Sequence, residues 1–232
     1  MLVYLLGLLG IGVGVRFLRT RERERSRLWW GVAMVLWGAG ALLAGTSYQA
    51  FSYAIKCAGR TTCAWTSWWE VSFLILTMCS FSALMLAGAH AGAVGTWRRV
   101  LSFCSAAMAL LYVLVVLTGA FLPNRLLVSF ELLVLFATPM VLALLALSAR
   151  RYTRSASGAD LAQVGTWLWL GVTVGAYYEY LSSGATERLW RQGVWFSEND
   201  VLHVGLILWV IYMARGVAPR LRDRPETPSS LR

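Results

Sequence analysis

The sequence predicts an all-α polytopic membrane protein: a bundle of seven transmembrane helices, N-terminus outside and C-terminus in the cytoplasm. Three observations carry this reading. The 232 residues are 58% apolar and 14% charged, where a soluble domain carries about a quarter charged residues. Seven apolar stretches recur from Met1 to Arg215, each near the roughly 20 residues that a helix needs to cross hydrocarbon. The polar breaks between them alternate between arginine-rich and arginine-poor.

The first helix is expected over about Leu2–Leu18. Its apolar stretch, Met1–Val15, has no basic residue before it and six arginines after it, from Arg16 to Arg27. A secretory signal has the opposite order, so this segment reads as an uncleaved first span. The second helix is expected over Leu28–Tyr53, followed by an outer loop from Ala54 to Trp65. The third covers Ser67–His90 and returns to a short break holding Arg98 and Arg99. The fourth, Val100–Leu122, stops at Pro123-Asn124. The fifth, Leu126–Ala149, meets Arg150, Arg151 and Arg154. The sixth, Asp160–Ser182, leads into a loop, Ser183–Glu198, carrying Trp190, Trp195 and Phe196. The seventh is Asn199–Arg215. The membrane domain is thus residues 1–217. The remaining stretch, 218–232, is rich in proline, serine and mixed charge, and reads as a disordered cytoplasmic tail.

The basic residues set the orientation. The expected cytoplasmic segments hold 16 of them and the outer segments five: Lys56, Arg60, Arg125, Arg188 and Arg191. This asymmetry is the positive-inside pattern, and it places the chain in a membrane, the bacterial cytoplasmic membrane being the expected one. It also explains the net charge of +10 without nucleic acid as a partner. Trp65, Trp68, Trp69, Trp190 and Trp195 mark the outer interface, and Trp29, Trp30 and Trp97 the inner one. Gly10/Gly14 and Gly171/Gly175 have the four-residue spacing that lets membrane helices approach closely.

Chemistry is expected where polar groups enter the spans, because each is costly in hydrocarbon. Glu70, Glu131, Glu179, Asp200 and His203 all fall in the outer thirds of their helices, with Ser47, Tyr48, Gln49, Tyr177, Tyr178 and Tyr180 at similar depth. The expected binding residues of an outward-facing pocket are therefore Glu70, Gln49, Tyr48, Tyr178, Glu179, Asp200 and His203. Carboxylates turned to lipid are unfavourable, so Glu70, Glu179, Asp200 and His203 should face the interior and relieve one another. Asp200 and His203 are three apart and share a helix face, which makes His203, Asp200 and Glu70 the candidate ligands of a divalent metal. The alternative is a histidine held by hydrogen bonds alone. His90 lies about 30 Å below Glu70 by helical rise and stands apart. Cys57 and Cys63, six apart in the outer loop, are expected to form a disulfide in an oxidising compartment.

Some classes are set aside. Lys56 is the only lysine and lies in a loop, so no buried amine exists for a Schiff base. The two histidines fall at opposite faces and cannot share a haem. No phosphate-cradling glycine loop, H-E-x-x-H or G-x-S-x-G is present.

An outside-N, inside-C seven-helix chain with buried acids and a histidine distantly resembles, in architecture, the ceramidase and adiponectin-receptor superfamily of intramembrane zinc hydrolases. That family uses three histidines toward the cytoplasmic face. Only His203 carries over, with Asp200 or Glu70 in place of the missing histidines. The leading expectation is an outward-facing pocket that binds or conducts a small cation, a polar molecule or a lipid headgroup. A metal-dependent hydrolase and a structural subunit with a membrane partner remain as alternatives. The bilayer itself is the one partner common to all three.

Overall fold

The computed structural model describes residues 1–224 and is all-helical. Its long helices are α1 (Leu2–Arg19), α2 (Arg25–Ala44), α4 (Trp68–Gly92), α5 (Gly95–Phe121), α6 (Phe130–Ser155), α7 (Gly158–Ser182) and α9 (Glu198–Tyr212). Two short helices, α3 (Ser52–Lys56) and α8 (Ala185–Arg191), lie in the α2–α4 and α7–α9 connections. Among the described residues six helical stretches are long and apolar enough to cross a membrane: α1, α2 with its continuation to Ala50, α4, α5, α6, and α9 with its continuation to Val217. The chain is therefore a membrane protein by the length and composition of its helices. α7 has the length, 25 residues, but carries Asp160, Gln163, Tyr177, Tyr178, Glu179 and Tyr180, which dilute its apolar character.

Helices α1, α2, α4, α6, α7 and α9 pack in a closed circuit, each against the next, with α9 returning to α1. α5 lies outside it against α4, touching α6 at few places. Aromatic rings fill the centre. Trp30 stacks between Phe17 and Trp167 at centroid distances of 6.0 and 5.7 Å, and Trp37 meets Trp209 edge-on at 4.6 Å. Indole N–H groups need acceptors away from water, and the α7–α9 seam provides them. Trp209 donates to the Thr166 carbonyl at 2.8 Å, Trp169 to that of Gly205 at 3.1 Å, and the Tyr212 hydroxyl to that of Ala162 at 3.0 Å.

α1 and α2 meet through glycine. A Cβ at Gly38 would lie 2.5 Å from the Gly7 carbonyl oxygen, and one at Gly14 would lie 2.8 Å from that of Gly31. Of the two glycine pairs expected from spacing, Gly10/Gly14 is in this seam. Gly171/Gly175 faces open space.

Several boundaries differ from expectation for local reasons. α2 continues as a π-helical segment, Gly45–Ala50, and breaks at Phe51 before α3, so no single helix reaches Tyr53. α6 starts later than Leu126 because Asn124 accepts from the N–H of Leu126 at 3.0 Å and holds a turn, leaving Ser129 to cap the helix at Leu132. It also runs past Ala149, since arginine is a good helix former, until Ala156 adopts the left-handed conformation at φ 49°. The loop expected over Ser183–Glu198 contains α8. A second π-helical segment, Met213–Val217, ends α9. The tail expected from Ala218 begins with residues 218–224 placed against the bundle, Leu221 being buried. Residues 225–232 lie outside the described residues.

Candidate functional site

At the start of α4, the Ser67 side chain caps the helix and so brings Glu70 to its first turn, where a carboxylate suits the helix dipole. Glu70 is 3% exposed. It accepts from Ser47 Oγ at 3.1 Å and Thr66 Oγ1 at 3.0 Å and pairs with Lys56. The Lys56 ammonium also sits over the Tyr48 ring, 5.2 Å from its centroid. The π-helical turn gives Ser47 and Tyr48 their places in this group. Cys57 and Cys63 lie at disulfide distance, their Cα atoms 4.2 Å apart, and anchor the segment that follows Lys56.

The other expected site residues stand elsewhere. Asp200 accepts from the Ser197 N–H at 2.9 Å and hydroxyl at 3.0 Å, forming a capping box at the start of α9. His203 Nδ1 is buried without a hydrogen-bond partner, so Asp200 does not hold the imidazole through that nitrogen. Glu179 and Gln49 are exposed. Tyr178 packs edge-on against Tyr177 at 5.1 Å. α9 packs on α1 and α7, whereas α4 packs on α2, α5 and α6. Glu70 and Tyr48 are thus brought together around Lys56, and Asp200 and His203 occupy a separate seam. The expected metal set of His203, Asp200 and Glu70 is not brought together: among the described residues no three His, Cys, Asp or Glu side chains are grouped to hold a metal ion. Each carboxylate has already been satisfied by neighbours on its own or an adjacent segment.

The arginine-rich end is different. A cavity of about 910 Å³ opens there between the ends of α4, α5, α6 and α7 and the segment 220–224. Its lining includes apolar Ala91, Ala93, Val94, Leu101, Ala143 and Leu147 and buried Asp160 and Gln163. Among the described residues six arginines also line it: Arg150, Arg151, Arg154, Arg220, Arg222 and Arg224. The helical repeat explains the gradation on α6, because Ala143, Leu147, Arg150, Arg151 and Arg154 recur at three- and four-residue intervals on one side.

Among the described residues two acids line the cavity, and both are committed. Asp160 is 2% exposed, accepts from Ser155 Oγ at 2.7 Å and Ser157 Oγ at 2.9 Å, and pairs with Arg151 at 2.9 Å. The tight α6–α7 turn through Ala156 makes this possible, since Ser157 caps α7 at Asp160. Arg151 also donates to the Ala91 carbonyl, tying α6 to the end of α4. Asp223 accepts from the N–H groups of Arg25 and Ser26 at 2.7 and 2.8 Å. Arg98 donates to the Arg224 carbonyl at 3.0 Å and Arg224 to that of Gly92 at 3.3 Å. Arg27 donates to the Leu221 carbonyl at 3.0 Å. Residues 220–224 therefore form a strap across the cavity mouth. Arg150, Arg154 and Arg222 have no carboxylate partner among the described residues.

Sequence reasoning counted these arginines for topology and did not group them. The signal available was the α6 repeat, in which a small-residue and leucine side turns basic over its last two turns. Comparison of the chain with protein-family models, with curated proteins and with solved structures finds no match.

Proposed function

We propose that this chain is a membrane-embedded binding protein whose ligand is an anion held in the cavity at its arginine-rich end. The observation that carries the reading is a cavity of about 910 Å³ lined, among the described residues, by six arginines and by two acids that are both already engaged. The volume falls in the range of ligand pockets, roughly 300–1,000 Å³. Arginines without counter-charges at a membrane surface attract anionic groups, at about 1 kcal/mol each.

In this reading α7 completes seven spans, and the arginine-rich end faces the cytoplasm by the positive-inside rule. The N-terminus then lies outside. The outward pocket built on Glu70, Glu179, Asp200 and His203 is the weaker site, because Glu70 already has a cation and two hydroxyls as partners. Conduction is also the weaker activity, since Trp30, Trp167 and Trp209 pack the centre of the circuit.

The test is the thermal stability of the purified protein in a neutral detergent, titrated with glycerol phosphate, phosphatidylglycerol and phosphatidylcholine. Stabilisation by at least one anionic probe, weakened on the order of 30-fold in an Arg150→Gln/Arg154→Gln variant, supports the reading. No response to either anionic probe overturns it.

A further inference from the structure

We propose that the ligand is a phospholipid of the arginine-side leaflet, entering sideways between α5 and α6. This rests on the anion-binding reading above and names its substrate class. The phosphate sits among Arg150, Arg154 and the strap, and an acyl chain lies over Leu101, Ala143 and Leu147.

Three features of the cavity favour a lipid over a free anion. The first is the change along one side of α6 from Ala143 and Leu147 to Arg150, Arg151 and Arg154, with Leu101 of α5 lining the same cavity. A soluble anion would use the arginines and leave Leu101, Ala143 and Leu147 uncovered, whereas a lipid has one part for each. The second is the packing of α5. It lies against α4 and touches α6 at few places, so the two helices leave a lateral gap with α4 as its back wall. That back wall is made of small residues, Ala91, Gly92 and Ala93, followed by Val94. The third is the surface beside the gap. Trp97 is 71% exposed on α5, and Leu142 is 58% exposed on α6. In water such an apolar face would be costly; against acyl chains it is matched. A lipid can thus slide from the bilayer into the gap without leaving hydrocarbon, and its headgroup meets the arginines at headgroup depth.

The strap completes the headgroup site from the water side. Leu221 is 1% exposed and Asp223 is fixed to α2, which leaves Arg220, Arg222 and Arg224 at the mouth. Arg150 and Arg154 of α6 and Arg222 of the strap line the same cavity, and the proposal puts the phosphate among them. Crowded arginines repel without an anion between them.

The experiment measures binding to the full chain in neutral detergent of phosphatidylglycerol, of phosphatidylcholine, and of glycerol phosphate, which keeps the anionic headgroup and lacks acyl chains. Phosphatidylglycerol should bind at least roughly tenfold tighter than glycerol phosphate, since burying even two methylene groups is worth that much. It should also bind tighter than phosphatidylcholine. Leu147→Trp, which fills the apolar arm and keeps every arginine, should weaken phosphatidylglycerol by roughly tenfold and leave glycerol phosphate unchanged. Ala146→Phe, at an exposed cavity-lining position, does the same if Leu147→Trp fails to fold. Glycerol phosphate binding as tightly as phosphatidylglycerol, with neither variant affecting either probe, leaves the anion site standing and overturns the lipid. Equal binding of phosphatidylcholine overturns selection by charge. Failure of both anionic probes overturns the underlying reading as well.

Discussion

Asp223 caps a helix that begins almost two hundred residues earlier: its carboxylate accepts from the backbone N–H of Ser26 at 2.8 Å, and from that of Arg25 at 2.7 Å. The first turn of a helix leaves N–H groups without partners, and α2 has no acid in its own first turn. Asp223 supplies from the strap what α2 lacks, with a favourable dipole interaction besides. Asp223→Ala should therefore loosen the strap more than the bundle. Limited trypsin digestion of the variant in detergent should show faster cleavage at Arg220 and Arg222, with α2 to α9 intact. Unchanged cleavage would contradict the docking.

The same contact sets a pH dependence. Partial burial works against the Asp223 charge, but hydrogen bonding from Ser26 and Arg25 outweighs it and holds the carboxyl below the usual carboxylate range. A depressed carboxyl stabilises the docked form fully above its unfolded pKa, about 3.9. That contribution is lost as pH falls through the lower folded value. Hydrogen exchange at the Ser26 amide should stay protected from neutral pH down to about 4, with protection lost only in stronger acid. Loss of protection near neutrality would contradict it.

The Lys56–Glu70 pair should behave as a buried ion pair. Glu70 is 3% exposed, with Ser47 and Thr66 satisfying its other lone pairs. Removing one partner, as in Lys56→Met, strands a carboxylate and should cost on the order of 3 kcal/mol. Lys56→Met/Glu70→Leu should recover much of that loss. Unfolding in graded sodium dodecyl sulfate reads both. A single variant as stable as the native chain would contradict the pairing.

Glycine packing gives a paired prediction. Gly38→Ala meets the Gly7 carbonyl oxygen at 2.5 Å and should cost about 1–3 kcal/mol through forced separation of α1 and α2. Gly175→Ala, with nothing near its Cβ, should be neutral or slightly stabilising by helix propensity. The same unfolding measurement distinguishes them, and equal effects would contradict the seam.

Cysteine labelling checks the outer loop. Cys57 and Cys63 lie at disulfide distance, and Cys79 and Cys104 are free. Denatured, unreduced protein should take alkyl groups at Cys79 and Cys104 alone, by mass spectrometry. Labelling at Cys57 without reduction would contradict the bond.

The helical architecture was legible because composition and hydropathy act locally: long apolar runs bounded by Arg16–Arg27, Arg98–Arg99 and Arg150–Arg154 have few ways to sit in a bilayer. Side-chain partners were not legible, because depth along a helix is encoded in sequence and direction around the bundle is not. Glu70 and His203 share a depth and different seams. Asp223 and Ser26 are joined only because the chain folds back at its end, and the arginines of the cavity come from α6 and from the strap, which the sequence keeps about 70 residues apart.

Native mass spectrometry of the protein extracted from its own membrane tests the anionic-lipid site most directly. The native chain should carry a bound anionic phospholipid through mild activation, and an Arg150→Gln/Arg154→Gln variant of equal solution stability should lose it. Native and variant chains that carry the same lipids in the same proportions would contradict the site.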